Sequence, residues 1–371
     1  MSRPPLTFYE FFAGGGMARL GLGEAWRCLF ANDFDAGKAR AYRDNFGDED
    51  LKQGDVWALT TADLPGKADL AWASSPCQDF SLAGARAGLK GGRSSAFFGF
   101  WRLVEGLAAE GRAPRAIVIE NVVGLLTSHG GADFTALCQA LADQGYAFGA
   151  IEADAARFLP QSRRRILVIA CRQAPAGLPR GREDRPVVRD AFQRLPPALR
   201  ALWIGWPMPG EGRRNTDLAA LLEPDASVRW HAPEATAHIL ALLDDNNRGK
   251  VAAALASGER RVGAVYRRTR AGRQRAEVRF DGLAGCLRTP RGGSSRQTLM
   301  IVEAGQVRTR LLTPREAARL MGLPETYRLP ARATAALMIA GDGVAVPVVS
   351  WLAEAVLEPL LIQGPDLLAA E

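Results

Sequence analysis

Residues 6–16 read Leu6-Thr7-Phe8-Tyr9-Glu10-Phe11-Phe12-Ala13-Gly14-Gly15-Gly16. An apolar run of strand length stops in three glycines, and an amphipathic stretch over 17–26 follows, the pattern of a strand, a tight turn and a helix. Glycines at such a turn let the backbone approach a ligand at the carboxyl edge of a sheet, although a plain tight turn needs them too. The alternation continues outward, with apolar runs at 28–31, 68–73, 116–119 and 166–170 reading as strands. Helical stretches at 36–45, 97–110 and 134–144 lie among them. Strands alternating with helices predict an α/β fold, a Rossmann-like domain over 1–172.

A chain of 371 residues exceeds what one core usually supports, so a second, smaller domain is expected. From about 172 onward Pro, Gly, Arg and Asp accumulate, tryptophans appear at 203, 206 and 230, and the strand-helix alternation is lost. This places the second domain at 173–305. The segment 306–371 then returns to the first domain's pattern, opening on a helix start with Thr313 as N-cap, Pro314 at the first helical position and Glu316 three after the cap.

With 47% hydrophobic and 23% charged residues the composition is that of a globular protein, which excludes a disordered or collagen-like chain. No run of about 18 uncharged apolar residues occurs, and Met1-Ser2-Arg3-Pro4-Pro5 leads into β-type sequence without a secretory leader. A cytoplasmic protein with no membrane span is expected. Five scattered cysteines with no CxxC pair, and three histidines, argue against a disulfide framework and against a metal site.

Charge is strongly localised. Residues 251–300 hold eleven arginines, no lysine and three acids, a net +8 in a chain whose total is +7. That distribution points to a polyanion-binding surface on one part of an otherwise neutral protein, with a solvated charged loop as the plainer alternative.

Several side chains fall at strand ends. Asp33 lies 19 residues after Gly14, where an acid bonds ribose hydroxyls. Arg19 occupies the last glycine position of a GxGxxG pattern, which favours an adenosine-type ligand without a pyrophosphate. Asp55, after Gly54, is placed to accept an adenine amino group. Ser74-Ser75-Pro76-Cys77-Gln78 follows the 68–73 strand and opens a glycine-rich, cationic stretch long enough for a mobile lid. A lone cysteine is usually a small buried hydrophobe, but that setting favours a thiolate nucleophile at Cys77. Glu120-Asn121 closes the 116–119 strand, where an unpaired buried carboxylate is costly. In Gln161-Ser162-Arg163-Arg164-Arg165 alternation sends Arg163 and Arg165 to one side and Arg164 to the other. One of that pair is available to clamp the carboxylate or a phosphate; surface salt bridges are the other reading.

EFFAGGG, NDFD, GDV, SSPCQDFS, IENV, QSRRR and RLLTPREAARLMGLP, in that order, resemble the DNA cytosine-5 methyltransferases over roughly 1–172 and 282–360. The resemblance implies a DNA (cytosine-5) methyltransferase that uses S-adenosylmethionine, with Cys77 as nucleophile and Gln78, Glu120, Asn121, Arg163 and Arg165 in the active site. It assigns the cofactor to Phe12, Gly14, Gly16, Asp33, Phe34, Asp55, Val56, Pro76, Asp342 and Val344. Ser81 and Arg93 match the catalytic loop on the DNA side. The variable region of the family, its target-recognition domain, coincides with the +8 segment, which gives Arg267, Arg268, Arg270, Arg288, Arg291 and Ser294 as DNA contacts.

The implied partner is double-stranded DNA, with a cognate restriction endonuclease as a separate protein. Gly341-Asp342-Gly343-Val344 departs from the family's usual Gly-Asn-Ser-Val, and Glu10 replaces an aspartate. Asp342 either faces the positive cofactor or caps a helix beginning near Pro347. An RNA-directed enzyme of the same fold typically has a short variable region with a Cys-Phe-Thr tripeptide, which this chain lacks. A catalytically silent DNA-binding protein is the second alternative.

Overall fold

The computed structural model describes residues 4–75, 96–174, 185–206, 214–270, 272–289 and 296–363. The chain divides into two units, one of residues 1–153, 164–211 and 348–371, the other of 154–163 and 212–347.

The first unit is built on β1 (Leu6–Phe11), α1 (Met17–Leu22), β2 (Trp26–Asp33), α2 (Ala36–Phe46), β3 (Leu51–Gln53), β4 (Leu70–Ala73), α3 (Ala96–Ala109), β5 (Ala116–Val122), α4 (Ala132–Asp143), β6 (Ala147–Asp154) and β7 (Arg164–Cys171). Two further helices follow, α5 (Pro186–Arg194) and α6 (Pro197–Arg200). The strands form one sheet in the order β3-β2-β1-β4-β5-β7-β6. Strands β3, β2, β1, β4 and β5 are parallel neighbours, and β7 runs antiparallel to β5. The α/β expectation is met by this mostly parallel sheet. Helix α1 stops four residues short of the stretch read from sequence, because Gly23 turns the chain at φ 72° and Trp26 already begins β2. β3 was expected only as a strand ending before Gly54 and Asp55, and it has three residues; β6, Ala147–Asp154, was not expected and is rich in Ala and Gly, which carry little strand signal.

Tyr9, Phe11, Phe100, Ile117 and Val168 lie in one continuous buried cluster with Trp203. Trp203 meets Phe134, Phe148 and Phe192 edge-on or tilted, which is why residues 185–206 group with the first unit although their composition reads as a new domain.

The second unit contains α7 (Pro233–Ala241), α8 (Asp245–Ala256), β8 (Arg261–Arg270), β9 (Arg273–Arg279), β10 (Thr298–Glu303), β11 (Gln306–Leu311), α9 (Pro314–Arg319) and α10 (Ala333–Asp342). Its sheet runs β11-β10-β8-β9, antiparallel throughout. Ile239, Leu243 and Val251 pack on Val265, Val278, Met300 and Val302. β11 pairs with β10 over the whole of Thr298–Glu303, so residues from 306 onward are tied to this unit rather than returned at once to the first. At α9 the expected cap is present: Thr313 Oγ1 accepts the Glu316 N–H and Glu316 accepts the Thr313 N–H. Arg310 and Glu316, both fully buried, form a two-pronged ion pair beneath it. α11 (Val346–Leu352) crosses the division between the units. The stretch 333–362 is long and apolar enough to cross a membrane, but its residues are largely buried and Gly343 breaks it after α10.

Candidate functional site

In a parallel sheet the carboxyl ends of neighbouring strands lie side by side, and here that edge collects most of the residues singled out in the first unit. Ala13 N donates to Asn32 O at 2.9 Å, Gly54 N to Asp33 O at 3.0 Å and Ser74 N to Phe11 O at 3.3 Å, so the loops after β3, β2, β1 and β4 are stitched in that order. Gly14 and Gly16 have φ of 58° and 77°, and Phe12, with φ 58°, shares this left-handed conformation. A Cβ on Gly16 would lie 2.3 Å from Phe46 Cε2, whereas one on Gly14 would meet open space. Gly16 is therefore fixed by packing and Gly14 by the turn.

Asp33 is buried, and its two oxygens accept Gly14 N and Asp35 N, each at 2.8 Å. Burial pushes its carboxyl above the usual range. These two bonds hold the glycine loop and leave further acceptor capacity on both oxygens. Beside it Phe34 is 74% exposed, an open aromatic face. Asp55 accepts Trp57 N at 3.0 Å, and Val56 is buried. An open glycine turn, a free ring and carboxylates at successive strand ends fit an adenosine-type cofactor.

Two residues to which the sequence reading gave no role in the site complete this edge. Asn32 donates to Lys52 O and Gly54 O at 2.8 and 3.1 Å, setting the loop that carries Asp55. Glu10 is buried, accepts Arg19 N at 3.4 Å and leaves Oε2 without a partner among the described residues. Burial pushes it up to about 8.

Further along the same edge, Glu120 and Asn121 lie just before Val122, the last residue of β5. Asn121 Nδ2 donates to Ser75 O at 3.2 Å, and Arg165 Nε lies 3.0 Å from Glu120 Oε1. Because β7 is antiparallel to β5, the start of β7 reaches this edge, with Val122 opposite Arg165. Arg164, on the other side of the strand, pairs with Glu152. The arrangement holds a carboxylate in one orientation next to the root of the Pro76-Cys77 segment.

Arg163 is engaged elsewhere. Its guanidinium is buried and donates to Leu287 O at 3.1 Å, Gly341 O at 3.1 Å and Gly343 O at 2.7 Å, with Cys286 Sγ at 3.4 Å. It clamps main chain within the second unit, on either side of Asp342. Asp342 is the last residue of α10, and α11 starts at Val346, so Asp342 is not that helix's N-cap. Val344 is buried in the same unit. Pro76, Cys77, Gln78, Ser81, Arg93, Arg291 and Ser294 lie outside the described residues.

The C-5 cytosine-specific DNA methylase family matches residues 6–358. The chain belongs to that family. It is a DNA (cytosine-5) methyltransferase of α/β fold. Among relatives, it is 26% identical over 359 residues to the type II methyltransferase M.BsuFI of Bacillus subtilis, covering 96% of this chain and 74% of that one. It is also 26% identical over 351 residues to M.HhaI of Haemophilus parahaemolyticus, covering 94% and 93%. Among solved structures, the S. pombe Dnmt2 methyltransferase superposes with a TM-score of 0.61 at 20% identity, covering 96% of this chain and 99% of that one.

The second unit of the methyltransferase holds a cavity of about 800 Å3 whose lining includes Arg267, Arg268, Arg279, Arg288 and Arg296. Arg267, Arg268 and Arg288 are exposed. Arg270, at the end of β8, is described for its backbone only. Seven of the eleven arginines of the +8 segment lie on the strands of the β8–β9 hairpin, where alternation sends Arg267 and Arg268 to opposite faces.

Proposed function

We propose that the enzyme transfers a methyl group from S-adenosylmethionine to C5 of a flipped cytosine in a specific duplex DNA sequence, through a covalent bond from Cys77 to C6. The observation that carries this reading is the Glu120–Arg165 pair at 3.0 Å beside Asn121, which holds the carbonyl of Ser75 two residues before Cys77.

C5 of cytosine is a poor nucleophile, and its stacked ring is out of reach, so the base leaves the duplex at a cost of a few kcal/mol. The Cys77 thiolate adds to C6, which makes C5 electron-rich. A proton shared between one Glu120 oxygen and N3 offsets the negative charge that thiolate addition places on the ring, the other oxygen accepts from the exocyclic amine, and Arg165 keeps the carboxyl group oriented. Phe12, Gly14, Gly16, Asp33, Phe34, Asp55 and Val56 hold the cofactor, which supplies an electrophilic methyl group when bound. C5 gains the methyl, loses its proton to a base, and the electron pair returns to expel the Cys77 thiolate. Arg163 is a clamp on the chain around Asp342 rather than a participant in these steps. Duplex DNA is bound by the second unit, the protein works in the cytoplasm on the nucleoid, and an endonuclease of matching specificity acts as a separate protein.

Duplex DNA with 5-fluorocytosine at the target tests the covalent step, because fluorine cannot depart as a proton does. The expected result is a denaturation-resistant complex with the parent and none with Cys77→Ala. Retained turnover in the alanine variant would overturn the nucleophile assignment.

A further inference from the structure

β8 is longer than the sheet that supports it. β10 pairs with β8 only over Arg261–Val265, while the β8–β9 pairing runs on through Tyr266 to Arg270 and back from Arg273 to Glu277. At about 3.4 Å per residue the extra five positions make a two-stranded ribbon roughly 17 Å long. The apolar anchors Val265, Ala276 and Val278 sit at its root in the core of the second unit, and Gly272, with φ 72°, allows the tight connection at its tip.

On one face of the ribbon the register sets Arg268 directly opposite Arg275, and Arg273 is two residues along from Arg275 on the same face. All three are exposed. Like charges directly opposed across a strand pair are destabilising. The counter-charges are few: Glu277 Oε2 is 3.8 Å from Arg268 Nε, and Asp244 lies within electrostatic reach of Arg275. Arg279, further down the face, is occupied by Asp281 at 2.7 Å. Neither Arg273 nor Arg275 forms an ion pair among the described residues. A projecting ribbon that tolerates opposed guanidiniums is stabilised by a polyanion laid against it, and the major groove, about 12 Å wide and 8.5 Å deep, admits a two-stranded ribbon.

The geometry points to the β8–β9 ribbon as the element that enters the major groove, with the Arg268–Arg273–Arg275 face against the DNA. This rests on the proposal that the second unit binds duplex DNA, and it adds Arg273 and Arg275 while separating Arg267, which lies on the other face.

The test compares the parent with Arg275→Gln and with the double variant Arg268→Gln/Arg275→Gln, using Arg27→Gln, an exposed position on β2 of the first unit, as a charge control outside the ribbon. Three quantities are read: thermal midpoint without DNA, salt dependence of binding to duplex DNA, and the sequences methylated. Removing an opposed charge leaves the DNA-free midpoint unchanged or higher, which a merely structural arginine would not do. The double variant flattens the slope of log K against log salt by up to about 2 if both side chains meet phosphates, or accepts sites that the parent rejects if they meet base edges; either result supports the ribbon. Binding, slope and methylated sequences all equal to those of the parent would overturn it. A parent that neither binds nor methylates duplex DNA would instead overturn the underlying reading.

Discussion

The Asn121 side chain reaches 46 residues back along the chain to donate to the carbonyl of Ser75 at 3.2 Å, tying the end of β5 to the end of β4. A buried amide-to-carbonyl bond of this kind contributes about 1 kcal/mol net. Asn121→Ala frees the root of the Pro76-Cys77 segment, so kcat is expected to fall about fivefold or more while affinity for the cofactor stays near the parent's. Single-turnover kinetics and calorimetric titration of the cofactor check this; equal kcat would remove Asn121 from the positioning of the nucleophile.

Glu120→Gln keeps the shape of the side chain but not its charge. The amide cannot share a proton with N3, so kcat is expected to drop more than tenfold, about 1.4 kcal/mol or above, with DNA affinity little changed. Arg165 also loses its 3.0 Å carboxylate partner, and a few tenths to about 2 kcal/mol of stability go with it. Steady-state kinetics beside a denaturant melt separate the two effects.

Glu10 gives a pH signature. Its folded-state pKa is pushed up to about 8 by burial, above the ordinary 4.5, so the folded protein holds this proton more tightly than the unfolded chain does. Stability from this group is complete at low pH and declines as pH rises from about 4.5 toward 8. Glu10→Gln is expected to flatten that decline. Denaturant melts of both proteins at pH 5 and pH 8 measure it, and equal pH dependence would show that Glu10 does not titrate in this window.

Glu316 carries the opposite sign. Burial alone would raise its pKa, but Arg310 and the N–H groups of Thr313 and Glu223 outweigh it and hold the carboxyl below the usual range. Its stabilisation is present above the ordinary carboxylate pKa and is lost as pH falls through the lower folded value. Glu316→Gln leaves the fully buried Arg310 without its counter-charge, at a cost of about 3–5 kcal/mol. A thermal melt that shifts by less than a few degrees would contradict this.

Where the sequence was legible, the signal was local. The glycine turn after β1, the five expected strands and the capping box of α9 each declare themselves within a dozen residues. The β8–β9 hairpin did not, because arginines on both faces hide the period-two alternation that marks a half-buried strand. Arg163 carried a family motif, yet its function depends on carbonyls 124 and 178 residues away, which no local pattern reveals. Asn32 escaped for the same reason, since its acceptors belong to the next loop.

Incubation of the purified protein and S-adenosylmethionine with a duplex library of random sequence, followed by bisulfite sequencing, reads both the activity and its sequence context. Protected cytosines confined to one sequence context are expected with the parent protein and none with Cys77→Ala. A library left wholly unprotected by the parent, or protected equally by Cys77→Ala, would contradict this expectation.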